Sequence, residues 1–454
     1  MKNLLNRTTN IAHAYLEKMN HEKIQVSDEN RGRLTSLDFE LQSERVEASE
    51  VIEKLNDLVS PATMKMTSSK FFGFVIGGSY PVSIASNWLT TVWDQNTGLE
   101  KTTPATAEVE KISSRWMLEI LGLPKQSATA FVTGATVANF TALAAARNQV
   151  FKDAGWDVES DGLIGAPELH IIISEESHPT VYKSLAMLGL GRNRVTKVKT
   201  DDQGRISMKD FPDIKDNTII ITQAGNINSG ACDPIAEICD LVADKNAWVH
   251  VDGAFGLWAK ASKKHQYLLK GYEKADSWAT DAHKWLNVPY DSGLAFVKHE
   301  HALKAAMAIT ASYLPTENAG RNPSDYTPEL SRRARGVDIY AVLHHLGKSG
   351  VEELIDRCCA CAKQFSIGFS KAGYEVMNDV VLNQVVINFG SDDANVAIMD
   401  AVQKDGTCWV GQTVWKGITL MRISVCNWQT NQQDVEESLS VILSFANEYF
   451  GQEI

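Results

Sequence analysis

An acid and a lysine, each close to an apolar run, have side chains suited to chemistry on an aldehyde. Asp252 directly follows the run WVHV, and Lys284 lies between His283 and Trp285 in a segment with few charges, shortly before the run GLAFV. Ligands of open α/β sheets bind outside the carboxyl ends of the strands, so polar residues there are candidate site residues. Burial favours the neutral amine, which is the nucleophilic form of a lysine. Taken alone, Asp252 is more typical of a turn and Lys284 of a solvated surface.

A candidate phosphate site elsewhere in the sequence strengthens the functional interpretation of Asp252 and Lys284. The run AFV leads into residues 133–136, TGAT, and then into the helical pattern VANFTALAAARNQVF. Backbone N–H groups at a helix start bind a dianionic phosphate, although an ordinary strand-to-helix turn has the same pattern. Pyridoxal phosphate requires a lysine that condenses with its aldehyde, an acid paired with its pyridine nitrogen and a phosphate cradle. The sequence therefore predicts an enzyme that uses this cofactor.

A histidine after a third apolar run extends the candidate site. His178 follows HIIIS in the segment ISEESHPT. It could stack on the cofactor ring from the side opposite Ala254, whereas a histidine in such a loop is more often simply hydrogen-bonded. Its assignment depends on the other site residues.

The alternation of patterns from about residue 130 to residue 297 predicts the elements that position these side chains. Five apolar runs, AFV, HIIIS, TIIIT, WVHV and GLAFV, alternate with helical segments. Such alternation predicts an α/β fold with a mainly parallel sheet flanked by helices. Asp233 is a predicted N-cap, with Pro234 at the first helical position. One face of that helix carries the apolar residues Ile235, Ile238, Cys239 and Val242.

Changes of pattern divide the chain into three predicted regions. Residues 1–85 form a helical N-terminal segment, residues 86–335 the large domain, and residues 336–454 a small α+β domain. The last region contains a long helical pattern, the strand candidates QVVINF and MRISV, and a final helix with Val435, Leu439 and Ile442 in line.

The composition limits the kinds of partner that the protein is expected to bind. The chain has 454 residues and a net charge of −12, without the basic block that a nucleic-acid partner requires. The N-terminus lacks the apolar core of a signal peptide, and no run approaches the roughly 20 apolar residues that span a bilayer. The seven cysteines have no zinc-type spacing and fit a reducing compartment. We expect a cytoplasmic protein that acts on a small molecule, without a nucleic-acid or membrane partner.

From about Phe71 to Trp428 the sequence resembles the group II pyridoxal-phosphate-dependent amino-acid decarboxylases. The resemblance implies the aspartate-aminotransferase fold, with a seven-stranded sheet in the large domain. HVDGAFG is similar to the family's HVDAAYxG, which implies that Asp252 pairs with the pyridine nitrogen and Ala254 packs under the ring. ADSWATDAHKWL carries the most specific match, HKWL, and implies Lys284 as the lysine that holds the cofactor and His283 as a phosphate or ring neighbour.

Three other segments resemble cofactor-binding parts of the family. FVTGATVANFTAL implies Ala135 and Thr136 as backbone donors to the phosphate, and SHPTVYKS implies His178 as the stacking histidine. TQAGNINSGACDP is similar to the family's AGTT segment and places Asn226 where threonine is usual.

SDYTPELSRRARG resembles the end of the family's catalytic loop. This implies that Tyr326 protonates the carbanion after carbon dioxide leaves, which favours decarboxylation over the oxidative, aldehyde-forming variant. The structural alternative for Tyr326 is a surface turn residue before Pro328.

The resemblance also implies a homodimer with active sites at the subunit interface, to which the N-terminal segment contributes. Phe71, Phe72 and Trp93 favour an aromatic or other apolar amino-acid substrate, whereas Arg422 suits a substrate carboxylate or a structural salt bridge equally. The sequence departs from the family pattern at Asn226, Gly253, Phe255, Pro289 and Tyr290. The substrate should therefore not be inferred from that of well-known relatives.

Other functions remain open. An aminotransferase or a carbon–carbon lyase could use the same lysine, acid and cradle. A catalytically silent binding protein could have kept the fold.

Overall fold

A seven-stranded sheet forms the centre of the computed structural model, which describes residues 1–308 and 320–451. Its strands are β1 (Ala128–Val132), β2 (His170–Ser174), β3 (Thr196–Val198), β4 (Thr218–Gln223), β5 (Ala247–Asp252), β6 (Ser277–Asp281) and β7 (Gly293–Val297). The order is β1-β7-β6-β5-β4-β2-β3, and only β7 runs antiparallel to its neighbours in this sheet. The predicted mainly parallel sheet is confirmed.

Helices cover this sheet and precede and follow it. They are α1 (Lys2–Lys18), α2 (Asp28–Arg33), α3 (Ala48–Leu58), α4 (Pro81–Trp93), α5 (Pro104–Ile120), α6 (Ala135–Asp153), α7 (Val158–Asp161), α8 (Pro179–Met187), α9 (Ile235–Leu241), α10 (Glu300–Met307), α11 (Gly336–Lys371), α12 (Asp392–Asp405) and α13 (Gln432–Phe450). Short 3₁₀ helices lie at Leu34–Leu37, Ser60–Ala62, Met208–Asp210, Gly256–Ala261, Gln266–Leu269, Tyr272–Lys274 and Pro323–Tyr326. Among the described residues, no helix combines the length and apolarity needed to cross a membrane.

Helix α6 packs directly on strands β5, β6 and β7. Its sheet-facing positions are small, since Ala138, Ala142 and Ala145 are completely buried. Small side chains allow the helix to approach the sheet closely. The start of α6 is thereby fixed beside the ends of the central strands.

A second, antiparallel sheet belongs to the C-terminal part of the chain. Its strands are β8 (Glu375–Val376), β9 (Gln384–Asn388), β10 (Gly411–Trp415) and β11 (Ile418–Ser424), in the order β10-β11-β9-β8. Helix α12 packs on β11, and α12 packs on α13. Helix α11 is interrupted at Gly347, whose φ of 60° is readily adopted by glycine. The predicted α+β arrangement is present, while the three domain boundaries stay predictions.

Strand β6 was not among the strand candidates because its sequence, SWATD, is largely polar. It is nevertheless fully buried. Its polar groups have internal partners: the Ser277 hydroxyl accepts from Trp248 Nε1 at 2.8 Å, and the Thr280 hydroxyl donates to the Gly253 carbonyl at 2.9 Å. A buried strand can be polar when such bonds are made.

The predicted cap of α9 is wrong. The helix begins at Ile235 with Pro234 as its N-cap residue. The Asp233 carboxylate instead accepts from the backbone N–H groups of Ile206 and Gln223, at 2.8 and 2.6 Å. The apolar face is confirmed, since Ile235 and Ile238 are buried.

Candidate active site

A cavity of about 360 Å³ lies at the carboxyl ends of β4, β5 and β6, where Gln223, Asp252 and Asp281 are the last residues of these strands. This volume is typical of a small-molecule site. The predicted residues that line the cavity are Lys284, Asp252, Ala254, His178, Ala135, Thr136 and His283. Seven predicted residues, which come from four separate segments, therefore meet in one cavity.

Asp252 is buried, and neutral groups donate to its carboxylate. Asn139 Nδ2 lies 3.1 Å from Oδ2, and the Ala254 backbone N–H lies 3.3 Å from Oδ1. Burial raises the pKa of Asp252, and the nearby His178 and Lys284 oppose that effect. A buried carboxylate with neutral donors favours a cationic partner, as a protonated pyridine nitrogen would be.

Asn139 is oriented by a buried histidine that the sequence analysis missed. Because Asn139 Nδ2 donates to Asp252, its Oδ1 must accept, and His250 Nε2 lies 2.9 Å from it. His250 Nδ1 lies 2.8 Å from the Ser277 hydroxyl. Burial lowers the pKa of His250 to about 3, so the ring is neutral with its proton on Nε2. His250 precedes Asp252 by two residues in β5, so both point to the same face of the sheet, and this spacing could have revealed it.

Lys284 follows the end of β6 by three residues. Its Nζ lies 3.1 Å from Asp281 Oδ2. The charge of Lys284 is among the influences that lower the pKa of His178, which also lines the cavity. The amine is therefore placed between the acid at the end of β6 and the other side chains of the cavity.

The segment that contains Gly77 and Gly78 packs against the backbone of the loop that carries Lys284. A Cβ atom at Gly77 would lie 2.0 Å from the Lys284 carbonyl oxygen, so only glycine permits this approach. The Gly78 N–H donates to Asn287 Oδ1 at 2.5 Å, and Asn287 Nδ2 donates to the Trp285 carbonyl at 2.8 Å. This segment positions the backbone around Lys284.

The predicted phosphate cradle is the start of α6. Ala135 and Thr136 begin this helix of 19 residues, where the helix dipole and the backbone N–H groups of the first turn favour an anion. The Thr136 carbonyl accepts from the Ser184 hydroxyl at 3.0 Å, which ties the cradle to α8. The Ala135 N–H donates to Asp281 Oδ1 at 2.6 Å.

Two histidines line the cavity in neutral settings. His283 Nδ1 accepts from the Ser292 N–H at 3.2 Å, and its ring stacks on Tyr290 at 4.2 Å. His178 is the N-cap of α8, where Nδ1 accepts from the Thr180 N–H at 3.3 Å. Burial is the largest influence on both histidines and lowers their pKa. A neutral imidazole in the cavity suits stacking on a flat ring.

Asn226 does not line the cavity. Its Nδ2 donates to Glu176 Oε2 at 2.9 Å, and its Oδ1 accepts from the Asn228 N–H at 2.9 Å. The side chain thus stabilises its own turn, while the neighbouring Gly225 and Ile227 reach the cavity. The prediction that Asn226 contacts the cofactor stays a prediction.

Tyr326 also lies outside the cavity of its own chain. It is buried in the 3₁₀ helix Pro323–Tyr326, where its hydroxyl donates to Glu300 and the Arg321 guanidinium lies 4.1 Å from the ring centre. Burial raises the pKa of this tyrosine, and the charged groups that influence it are Glu300, Arg321 and Lys304. Its placement therefore supports a structural role, and its predicted role as proton donor stays untested.

The aromatic residues expected near the substrate do not line this cavity. Phe71 stacks on Trp409 with ring centres 5.0 Å apart, and Phe72 packs edge-on against Phe365 at 5.1 Å. Trp93 lies on α4 and is 47% exposed. Apolar residues that do line the cavity are Val137, Ile227 and Phe255.

Arg422 on β11 is a buried cation close to the cavity. Its guanidinium donates to the carbonyl groups of Ile227 and Phe74, each at 3.4 Å. Burial lowers its pKa to about 10, and no acid in the described part of the chain offsets this effect. Its Nε has no hydrogen-bond partner among the described residues. The predicted alternative of a structural salt bridge is therefore not what the structure shows.

These residues fit pyridoxal phosphate. Asp252 suits the pyridine nitrogen, Lys284 the aldehyde and the start of α6 the phosphate. Gln223 lines the same cavity, and its buried Nε2 lacks a partner within the described ranges, so it is free to donate to a bound molecule. The site thus offers partners for the pyridine nitrogen, the aldehyde and the phosphate of the cofactor.

Comparison with known proteins gives a matching family. Residues 32–389 match the model of the pyridoxal-dependent decarboxylase conserved domain. The chain is 26% identical to an aromatic-L-amino-acid decarboxylase of Bacillus atrophaeus, over 95% of this chain and 93% of that protein.

Solved structures share the fold. The crystal structure of Oryza sativa TDC with PLP and tryptamine has a TM-score of 0.90 and 20% identity, covering 99% of this chain and 98% of that one. Mouse CSAD has a TM-score of 0.90 and 22% identity, covering 100% of this chain and 99% of that one.

Proposed function

Because the chain belongs to the pyridoxal-dependent decarboxylase family, its reaction is the pyridoxal-phosphate-dependent decarboxylation of an amino acid, and we propose that the substrate is an aromatic L-amino acid. The products are then the corresponding amine and carbon dioxide. The use of the cofactor is supported by the meeting of Lys284 and Asp252 in one cavity at the ends of adjacent strands.

Two observations support an aromatic substrate. The relative from Bacillus atrophaeus, which is similar along nearly the whole chain, is an aromatic-L-amino-acid decarboxylase. The cavity also has an apolar wall formed by Val137, Ile227 and Phe255. An apolar wall favours a side chain that loses little hydration on entering.

Each side chain of the cavity then has a proposed role. The bound cofactor supplies an electron sink for the bond to the substrate α-carbon. Asp252 keeps the pyridine nitrogen protonated, which strengthens that sink. His178 and Ala254 pack on opposite faces of the ring. Ala135 and Thr136 donate N–H groups to the phosphate, next to His283.

Arg422 is proposed to bind the carboxylate of the incoming substrate. It is a buried guanidinium without an acidic partner in the described residues, and a carboxylate would satisfy it. Its carbonyl partner Ile227 belongs to the cavity wall. A cation at this edge can fix the orientation of the carboxylate, which decides the bond that breaks.

We also propose a cytoplasmic homodimer in which the N-terminal helices pack on the partner. Helices α1 and α3 contain no buried residue, and an open groove of about 860 Å³ lies between them. Four large apolar side chains on α4 are exposed, namely Trp88, Leu89, Val92 and Trp93. Such surfaces are typical of protein interfaces. The seven cysteines are all buried free thiols, which supports a reducing compartment.

Product analysis tests the function. The purified protein with added pyridoxal phosphate is incubated with L-phenylalanine, L-tyrosine, L-tryptophan and, as a non-aromatic control, L-glutamate. We expect carbon dioxide and an aromatic amine in equal amounts. A keto acid would instead indicate an aminotransferase, and exclusive turnover of glutamate would reject the aromatic substrate.

A further inference from the structure

Asp281 lies in the phosphate cradle with both carboxylate oxygens engaged. Oδ1 accepts from the Ala135 N–H at 2.6 Å, and Oδ2 lies 3.1 Å from Lys284 Nζ. The residue is 2% exposed and ends strand β6. An acid therefore contacts both the N–H group that suits the phosphate and the amine that suits the aldehyde.

The backbone of Asp281 fixes this position. Its N–H donates to the Ala254 carbonyl at 2.9 Å, and its carbonyl accepts from Trp258 Nε1 at 3.0 Å. Trp258 is completely buried. These bonds hold the main chain of Asp281 beside the cradle.

The charges that face this carboxylate come from several elements. His283 Nε2 lies 3.6 Å from Oδ1, and Lys284 is on the same loop. His178 at the start of α8 and Tyr290 after the lysine loop are both influenced by the charge of Asp281. Asp252 at the end of β5 lines the same cavity. Lys284 is the cation in ion-pair contact, and Asp252 adds a second negative charge.

A phosphate dianion at the start of α6 would compete with Asp281. Both anions would accept from the Ala135 N–H, and two negative charges in contact repel each other. Protonation removes the conflict, because a carboxylic acid can donate its O–H to a phosphate oxygen in a short, charge-assisted hydrogen bond.

We propose that Asp281 holds the anion position of the cradle in the cofactor-free protein and takes up one proton from solvent when the phosphate binds. The carboxylate gives up the Ala135 N–H and becomes a donor to the phosphate. The only bond that forms on the protein is the O–H bond of the Asp281 carboxyl group, and its proton comes from water or buffer. Cofactor loading is then coupled to proton uptake and weakens as the pH rises. This inference rests on the cofactor and is independent of which amino acid is the substrate.

The test measures binding of pyridoxine 5′-phosphate, which has the ring and phosphate but no aldehyde, so condensation with Lys284 does not contribute. Titration calorimetry of the full chain at pH 8, in two buffers with different ionisation enthalpies, gives the number of protons taken up. We expect about one proton for the wild-type protein and about one fewer for Asp281→Asn. The affinity of the wild type should fall about tenfold more per pH unit than that of the variant between pH 7 and 9.

Asp276→Asn is the matched control, because Asp276 precedes β6, where its carboxylate also accepts a backbone N–H, from Val249 at 2.9 Å. It should keep the wild-type proton uptake. Proton uptake near zero in the wild type would overturn the proposal without any variant, and so would equal uptake in Asp281→Asn. Because no substrate is present, these outcomes are distinct from a failure of the decarboxylase assay.

Discussion

At the scale of single residues, the site depends on one amine. The Lys284 amine forms an ion pair with Asp281, with Nζ 3.1 Å from Oδ2. We expect Lys284→Ala to lack the yellow absorbance of the protein with its cofactor and to lose at least about 1,000-fold in kcat, because the group that receives the aldehyde is absent. Absorption spectra and amine release measure both. If the Lys284→Ala protein keeps the yellow absorbance, another lysine holds the cofactor.

His250 makes stability depend on pH. Its pKa in the folded protein is about 3, below the ordinary histidine value, because burial disfavours the charged ring. The unfolded chain therefore binds a proton more readily, and stability falls as the pH drops below about 6.5 toward the folded-state value. Lowering the pH from 7 to 5 should cost about 2 kcal/mol from this residue.

Urea denaturation of the wild type and of His250→Gln at pH 7 and pH 5 measures this effect. The variant has no ring that titrates, so its loss of stability between these pH values should be smaller by that amount. Equal losses in the two proteins would contradict the assignment of a neutral buried His250.

Substitution of Tyr326 tests whether this residue has a structural or a catalytic role. Its hydroxyl bonds to Glu300, so Tyr326→Phe should reduce the free energy of unfolding by about 1.5–3 kcal/mol, the worth of a hydrogen bond to a charged group. If the role is structural, the variant still forms the amine with kcat within about threefold of the wild type, which is under 1 kcal/mol of barrier. A shift of the product from amine to aldehyde would instead support the proton-donor role that the sequence predicts. Denaturation curves and product analysis distinguish the two results.

At the scale of elements, the cradle requires that β7 pass very close to the start of α6. A Cβ atom at Gly293 would lie 2.4 Å from the Gly134 Cα atom. Gly293→Ala must therefore displace the turn before Ala135, and we expect the dissociation constant of pyridoxal phosphate to rise at least about tenfold, or 1.4 kcal/mol. Gly32→Ala, where an added Cβ meets no atom within 4 Å, should bind the cofactor normally. Fluorescence titration compares the two.

Strand β6 shows why only part of the architecture could be predicted. Strands β2, β4 and β5 are apolar runs, and periodicity identifies them. The polar sequence SWATD gives no such signal, because its burial depends on hydrogen bonds to distant residues such as Trp248. The motif around Lys284 nevertheless predicts its position near Asp252. The two residues are close because β5, which ends at Asp252, and β6, which precedes Lys284, are parallel neighbours in the sheet.

The direction of the Asp252 side chain could be predicted from the sequence, whereas that of the Asn226 side chain could not. Asp252 ends a strand, and the strand fixes its direction, so a sequence argument can place it. Asn226 follows Gly225, which has a φ of 97°, and its direction depends on a turn that the sequence does not specify. The sequence suggests Phe71 and Phe72 as neighbours of an apolar substrate. In the structure they pack on Trp409 and Phe365, which are hundreds of positions away in the chain. Long-range packing of this kind leaves no local pattern.

At the scale of the whole molecule, the exposed face of α4 predicts the oligomeric state. Val92 is 70% exposed there. If this face is buried in a homodimer, Val92→Asp places a charge in an apolar interface, and we expect the dimer to weaken at least about 100-fold, since an unpaired buried charge costs several kcal/mol. Val414→Asp, on β10 at 64% exposure, is the control and should remain dimeric. Light scattering across protein concentrations measures both, and an unchanged Val92→Asp dimer would exclude this face.

Asn287 joins parts of the chain that are synthesised far apart in time. Its side chain accepts from the N–H groups of Gly78 and Trp428, at 2.5 and 3.0 Å, and donates to the carbonyl of Cys426 at 3.0 Å. Asn287 lies three positions after Lys284, so the loop that carries the proposed catalytic amine acquires its last supports only when residues beyond 426 have left the ribosome. A nascent chain that is still attached near that point should consequently be unable to retain the vitamin-derived cofactor, however complete its central sheet.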